Sequence, residues 1–447
     1  MSTRLESDLL GPVEVPAEAW HGARTQRALQ SFPLGQQRPL GSYPTLLAAL
    51  LQIKLAAAQV NGRLGLLPAE KADAIAAAAA DLLARPRPEL FPVHALHGGG
   101  GVSANMNVNE VLANLAEERL GGRRGEYRLI NPNDHVNLNQ STNDVYPTAG
   151  HLAVVAQWGR LEPALARLAA AFAAKAVEFQ AARRLARTCL QDAVEITFFD
   201  FFQGYVGGLE RNRERLAAAV EQLHRVNLGG TIVGRPADVP AAYFEQIVPA
   251  LRAVTGEARW QRATNLFDAF QNPDDLAAVS AALDLLARTL IKIAQDLRLL
   301  SSGPEAGLNE VVLPAVQPGS SIMPGKINPA IPEFVIQLAF KVTGLHAMCA
   351  AGVNHGELDL NIWESSMLCA VLESMELLEC ALAVFTDQCL LGLAINRARN
   401  ERNADTLIPY LTRLALKHGY STVTAVCREA RGDTRLLREL LAARLGE

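Results

Sequence analysis

Apolar residues recur at intervals of three and four along much of this chain, and the clearest run lies between Asp274 and Leu300. Leu276, Val279, Leu283, Leu286, Leu290, Ile293, Leu297 and Leu300 form a single seam, spaced as in a helical bundle. Asn272 can cap this helix, Pro273 suits its first position, and Asp274 and Asp275 complement its dipole. Ser301-Ser302-Gly303-Pro304 stops it. At about 1.5 Å per residue the helix is roughly 40 Å long, more than a single small globule uses. Leu285, Ile291 and Leu299 fall outside the seam, so more than one face needs cover. Similar patterns predict long helices over 152–183, 194–226, 331–351 and 366–395. The expected architecture is all-α, with a mostly helical N-terminal region (1–143), a central bundle (144–396) and a small C-terminal helical region (397–447). The uncovered faces predict a bundle buried against copies of itself, an obligate homo-oligomer.

Composition narrows the function. Hydrophobic residues make up 49% and aromatics only 6%; Ala and Leu carry the apolar weight, which favours helices over sandwiches. The 42 basic and 46 acidic residues give a net charge of −4, so no basic field recruits nucleic acid. No stretch approaches the roughly 18–20 uncharged apolar residues of a membrane span, and Met1–Leu10 lacks the apolar core of a secretory signal. The six cysteines include no CxxC pair and mostly sit in helix-like runs, so a reducing cytoplasm is the expected compartment.

The segment most informative about chemistry is Gly319-Ser320-Ser321-Ile322-Met323-Pro324-Gly325-Lys326-Ile327-Asn328-Pro329. A phosphate-binding P-loop is excluded, because Gly319 lies one residue too far from Gly325-Lys326 and Ile327 replaces the required Ser or Thr. Two readings remain. The segment is either a polar loop between bundle helices or a mobile loop whose N–H groups and Lys326 hold a carboxylate while a serine oxyanion takes a proton. Gly99-x-Gly101-x-x-Ala104 lacks the preceding strand of a dinucleotide site. His94 and His97 are three apart, yet no further ligand pattern joins them. Neither a metal nor a cofactor is therefore expected. The Arg-rich stretches 119–128 and 428–444 read as solvated helix faces.

The loop at 319–329 resembles the signature segment of the aspartase/fumarase superfamily. Three further segments agree with its aspartase branch in order and spacing. They are Asn131-Pro132-Asn133-Asp134-His135-Val136-Asn137 with Gln140-Ser141-Thr142-Asn143-Asp144, Arg187-Thr188-Cys189-Leu190-Gln191-Asp192-Ala193, and Asp296-Leu297-Arg298-Leu299-Leu300-Ser301-Ser302-Gly303-Pro304. Asp8-Leu9-Leu10-Gly11 with Val15-Pro16 agrees as well. The resemblance implies an all-α homotetramer with active sites assembled from three chains. It also implies an anti-elimination across Cα–Cβ of a small dicarboxylate or amino-acid substrate. A Cβ proton is too weakly acidic for an unaided base, so preorganised donors must stabilise the enediolate.

Position by position, the resemblance makes Ser320 the general base, and Lys326 with Asn328 the grip on the α-carboxylate. Ser141, Thr142 and Asn143 match the segment for the other carboxylate and the leaving group. Seen alone, those three read as a helix N-cap. Thr188, Ser321 and Ser103 match further substrate contacts. This sequence also departs from the pattern. Val102 stands where the family commonly has threonine, Cys189 where it has histidine or glutamine, and Gly234-Arg235-Pro236 where it has Gly-Thr-Gly. Glu333 resembles the glutamate that elsewhere partners the missing histidine.

Ammonia elimination from L-aspartate to give fumarate is the first expectation. The departures raise a second, elimination from a modified or N-substituted aspartate, with Cys189 leaving room and Arg235 adding a cation. Fumarate hydratase chemistry and a catalytically silent structural homologue are the alternatives.

Overall fold

A computed structural model describes residues 2–446. Strands β1 (Thr3–Asp8) and β2 (Gly11–Pro16) open the chain as an antiparallel hairpin. Helices α1 (Ala23–Ser31), α2 (Pro44–Arg63), α3 (Ala69–Ala84) and α4 (Val102–Arg119) follow. The 37-residue α5 (Thr142–Glu178) leads into an antiparallel hairpin of β3 (Arg183–Thr188) and β4 (Gln191–Thr197). Next come α6 (Phe198–Gln222), β5 (Arg225–Val226), α7 (Ala241–Thr255), β6 (Gln261–Arg262) and α8 (Leu266–Gln271). Helix α9 (Asp274–Leu300), β7 (Val311–Val312), α10 (Ala330–Asn354), α11 (Glu364–Phe385) and β8 (Ala394–Ile395) complete the bundle region. Four short helices close the chain: α12 (Arg397–Ala404), α13 (Leu407–His418), α14 (Tyr420–Ala430) and α15 (Thr434–Leu445). Among the described residues every sheet has two strands, and the fold is all-α.

The seam read from the sequence is the buried face of α9. All eight of its residues, Leu276 through Leu300, are buried, whereas Leu285 and Leu299 are each 45% exposed. The long helices differ from expectation at their ends: 225–226 and 394–395 are short strands, and the expected helix boundaries at 183 and 194–197 belong instead to the hairpin of residues 183–197. Its residues are largely charged or polar, and the helix periodicity of the neighbouring segments extends falsely into them. What overrides it is tertiary: Arg187 Nη2 donates to the fully buried Glu310 at 2.6 Å, and Arg184 lies 3.7 Å from the same carboxylate.

The chain divides into two compact units. The first comprises residues 1–162, 214–287 and 340–379. Its N-terminal part is built on α2, which buries Leu46, Leu47, Leu50, Leu51, Ile53 and Val60. Helix α3 packs closely on it at Gly62, where a Cβ would stand 2.7 Å from that of Ala72. The second unit comprises residues 163–213, 288–339 and 380–447. Phe172, Phe198, Phe202, Tyr205 and Phe385 form its aromatic centre, and edge-to-face pairs add to the burial of such rings. Helices α13–α15 enclose a smaller core of Leu414, Val423, Val426, Ala430, Leu437 and Leu441.

Candidate active site

In the first unit, one amide oxygen organises the segment before α5. Asn137 Oδ1 accepts from Lys54 Nζ at 3.0 Å, Asn105 Nδ2 at 3.1 Å and Asn109 Nδ2 at 3.0 Å. Lys54 also donates to Gln140 Oε1 at 3.0 Å. Asn105 Nδ2 donates a second time, to Thr142 Oγ1 at 3.0 Å. Because that oxygen already accepts, the Thr142 hydroxyl proton is left for another acceptor. Burial pushes the Lys54 ammonium down to about 7, against the pull of Asp144. Burial likewise pushes the Asp144 carboxyl up to about 6, although backbone N–H groups and Lys54 oppose it.

Ser141 and Asp144 cap α5 reciprocally. Ser141 Oγ accepts from Asn143 N at 3.2 Å, and Asp144 Oδ1 accepts from Ser141 N at 2.9 Å. The N-cap that the residue types suggested is therefore present, and it aims the positive end of a 37-residue helix dipole at this segment. Asp144 Oδ2 accepts from Gly229 N at 2.9 Å and Thr231 N at 3.2 Å, which fixes the following glycine turn. Asn143 Nδ2 donates to Ile232 O at 2.8 Å, so its carbonyl Oδ1 is the part of the amide left to meet a ligand.

The glycine-rich turn before α4 needs its glycines. Gly99, Gly100 and Gly101 all have positive φ, and a Cβ at Gly101 would stand 2.8 Å from the Tyr146 ring. Val102 begins α4 and is 41% exposed; Ser103 is half-buried beside it. His97 Nε2 accepts from Ala104 N at 3.3 Å and its Nδ1 lies 2.8 Å from His94 O. This pair of histidines braces the turn. Among the described residues no group of three or more His, Cys, Asp or Glu is placed to hold a metal ion.

The second unit carries the other candidates. Thr188 ends β3, and Cys189 with Leu190 forms the two-residue tip of the hairpin, both at positive φ (52° and 60°). That is the left-handed pair a tight hairpin demands, held here without glycine. Cys189 is exposed. Glu310 anchors the stem through Arg187, and Asn403 Nδ2 donates to the same carboxylate at 2.9 Å.

The signature loop is latched at its base. Gly319 N donates to Lys326 O at 2.8 Å, and Asn328 Nδ2 donates to Gly319 O at 2.9 Å. A Cβ at Gly319 would lie 2.6 Å from Lys326 O, so only glycine fits. Within the loop, Ser320 Oγ accepts from Ile322 N at 3.2 Å and Met323 N at 3.0 Å. Ser321 and Lys326 are exposed.

Two departures acquire a structural account. Glu333 sits 3.4 Å from Arg298 on α9, a cation in place of the histidine partner. Arg235 is exposed and ion-paired with Asp238 three residues on. Its guanidinium is thus paired locally with Asp238. The candidates thus fall into three groups. Ser103 and Ser141–Asn143 lie in the first unit, with Thr142 tied to α4 through Asn105. The hairpin tip and the latched loop are separate features of the second. Sequence reading missed Lys54, Asn105 and Asn109; the one sign of Lys54 is its place as the only charge in the apolar run 46–60.

Comparison with known proteins agrees with this architecture. A family profile described as Lyase matches residues 11–344. A fumarate hydratase class II of Ralstonia nicotianae is 41% identical over 445 residues, covering 99% of this chain and 95% of that protein. An aspartate ammonia-lyase of Pseudomonas aeruginosa is 41% identical over 443 residues, covering 98% and 93%. Among solved structures, a fumarate lyase:delta crystallin from Brucella melitensis in native form superimposes with a TM-score of 0.91 at 40% identity, covering 98% and 99%. A class II fumarase from Schistosoma mansoni gives 0.94 at 31% identity, covering 100% and 96%. Fold and sequence together define an all-α lyase. The chain belongs to the aspartase/fumarase superfamily.

Proposed function

We propose that this protein is a C–N lyase that eliminates ammonia or an amine from L-aspartate or an aspartate-like substrate, giving fumarate or a related enoate. The observation that carries the reading is the surrounding of Ser320. Two backbone N–H groups already point at its Oγ, and donors to the charged form are what stabilise an alkoxide at neutral pH. In this reading Ser320 removes the Cβ proton. Lys326, exposed on the latched loop, meets the α-carboxylate. Ser141, Thr142 and the N-terminus of α5 receive the carboxylate on which the enediolate charge develops.

The leaving group favours nitrogen. A hydroxyl needs a proton donor to depart as water, whereas a substrate ammonium departs as neutral ammonia or amine without one. Where the family often places histidine this chain has Cys189, and Asn143 presents an acceptor, which suits N–H better than an incoming proton demand. The comparison with fumarate hydratase class II, as high as that with aspartate ammonia-lyase, supports water elimination as the second reading.

The exposed apolar surface of the long helices supports assembly of each site from several chains of a homotetramer. The deciding experiment follows enoate absorbance with purified protein given L-aspartate, N-substituted aspartates or L-malate. Turnover of an aspartate is expected. Turnover of malate alone would replace this reading with the second, and no turnover of any would favour a silent homologue.

A further inference from the structure

Lined by none of the candidate residues, a cavity of about 450 Å³ lies in the first unit, within the size range of small-molecule sites. Leu152, Val155, Trp158, Val220 and Trp260 give it an apolar wall, while Glu221, His224, Glu257 and Arg259 form a polar end. His224 is 1% exposed and its ring lies on Trp260, with centroids 4.8 Å apart. Its Nδ1 is 3.2 Å from the carbonyl oxygen of Glu221 and 3.5 Å from that residue's carboxylate, contacts that place a hydrogen on Nδ1, so that in the neutral ring Nε2 is the acceptor. That Nε2 is buried and has no hydrogen-bond partner. The nearest carboxylate oxygen, on Glu257, is 3.9 Å away, too far for a bond and also an acceptor.

The remaining charges point the same way. Arg259 bridges Glu257 at 2.7 Å and Glu221 at 2.8 Å, so two carboxylates face one guanidinium and the polar end is net negative. Arg259 holds the Glu257 carboxyl down to about 2, so it is ionised throughout the physiological range. Thr255 Oγ1 is already engaged by Trp260 Nε1 and Leu251 O. A buried acceptor without a donor costs free energy that a ligand N–H recovers.

We propose that this cavity is a second binding site, separate from the lyase site, for a small organic amine whose ammonium bridges His224 Nε2 and Glu257 and whose apolar body lies along Trp158 and Val155. His224 Nε2 in the neutral ring and Glu257 accept hydrogen bonds, the Gln52 amide on the wall can donate or accept, the carboxylates of Glu221 and Glu257 outnumber the one guanidinium, and the wall is apolar. A carboxylate or phosphate would meet like charge. The site is independent of the reaction proposed above.

The test is a titration of the full-length protein with 2-phenylethylamine, read by tryptophan fluorescence and calorimetry, beside 3-phenylpropanoate as the matched anion. Saturable binding of the amine is expected with a Kd below about 1 mM, and at least about tenfold weaker binding of the acid. Glu257→Gln should weaken the amine at least about tenfold, with the fluorescence change lost in Trp158→Phe. Ala217 is exposed at the cavity wall, so Ala217→Phe fills the space without entering the core and should abolish binding while the thermal midpoint stays unchanged. Excess fumarate should not displace the amine. Absence of saturable binding, equal binding of amine and acid, indifference to both Glu257→Gln and Ala217→Phe, or displacement by fumarate would each overturn the proposal.

Discussion

At Ser320 the proposed chemistry rests on one oxygen and the two N–H groups that face it. Ser320→Ala is expected to lower kcat by well over about tenfold, more than about 1.4 kcal/mol of barrier, while the chain folds and binds dicarboxylate as before. Steady-state kinetics with an intact circular dichroism spectrum check this; a variant keeping a tenth of the rate would remove the serine from its role. Lys54 makes a different kind of prediction. It is fully buried and bonded only to amide oxygens of Asn137 and Gln140. Its folded pKa, about 7, lies below the ordinary 10.5. Between those values the unfolded chain binds the extra proton, so this group makes stability rise with pH from about 7 upward. Asp144 has the opposite sign: raised from 3.8 to about 6, it makes stability fall as pH rises through that window. Lys54→Met should therefore abolish the gain in stability above pH about 7, seen as a flatter dependence of Tm on pH than in the parent protein. It should also impair activity, because Asn137 loses the partner that helps hold the segment before Thr142. Equal pH profiles for parent and variant would count against the buried cation.

Among the elements, the β3–β4 hairpin shows how a feature carrying candidate residues is held by distant charge. Its stem arginines converge on Glu310 just before β7, and Arg184 is itself 5% exposed. Removing one partner of such a cluster leaves buried charge uncompensated. Glu310→Ala should cost about 3–5 kcal/mol in urea unfolding and expose the tip to proteolysis. A cost within about 0.5 kcal/mol, typical of a surface site, would contradict the anchor. The hairpin also marks the limit of legibility in this sequence. The α9 seam was readable because eight apolar residues keep helical register and all are buried. Residues 183–197 were not, because what folds them is a carboxylate more than a hundred positions away. The same holds for the site. Ser320, Lys326 and the Ser141 cap stand in local motifs, whereas Lys54, Asn105 and Asn109 matter through a single oxygen on Asn137 that no local pattern reveals. Arg235 shows the converse, since only the structure supplies Asp238 as its partner.

For the whole molecule, the exposed apolar surface sets the expectation. Only 28% of the most apolar window of α10 is buried within the chain, and Phe334 and Phe340 on it are exposed. By length and composition α10 is apolar enough to cross a membrane, although Glu333 and Lys341 interrupt it. Copies of the same chain are the cover we propose. Light scattering at micromolar concentration should give a tetramer, and a stable, active monomer would refute the shared-site model. Mixing an inactive Ser320→Ala protein with an inactive Ser141→Ala, Thr142→Ala protein under conditions that exchange subunits should restore part of the activity. No restoration would mean that one chain supplies a whole site. The bare face of α10 also bears on how the protein comes into being. More than three hundred residues precede this helix in the chain, so at synthesis it emerges late, and a freshly released copy carries an adhesive surface that only encounter can quench. Renaturation from denaturant should then pass through an optimum of dilution. Below it, copies meet too rarely to gain activity; above it, the same surfaces join out of register and precipitate.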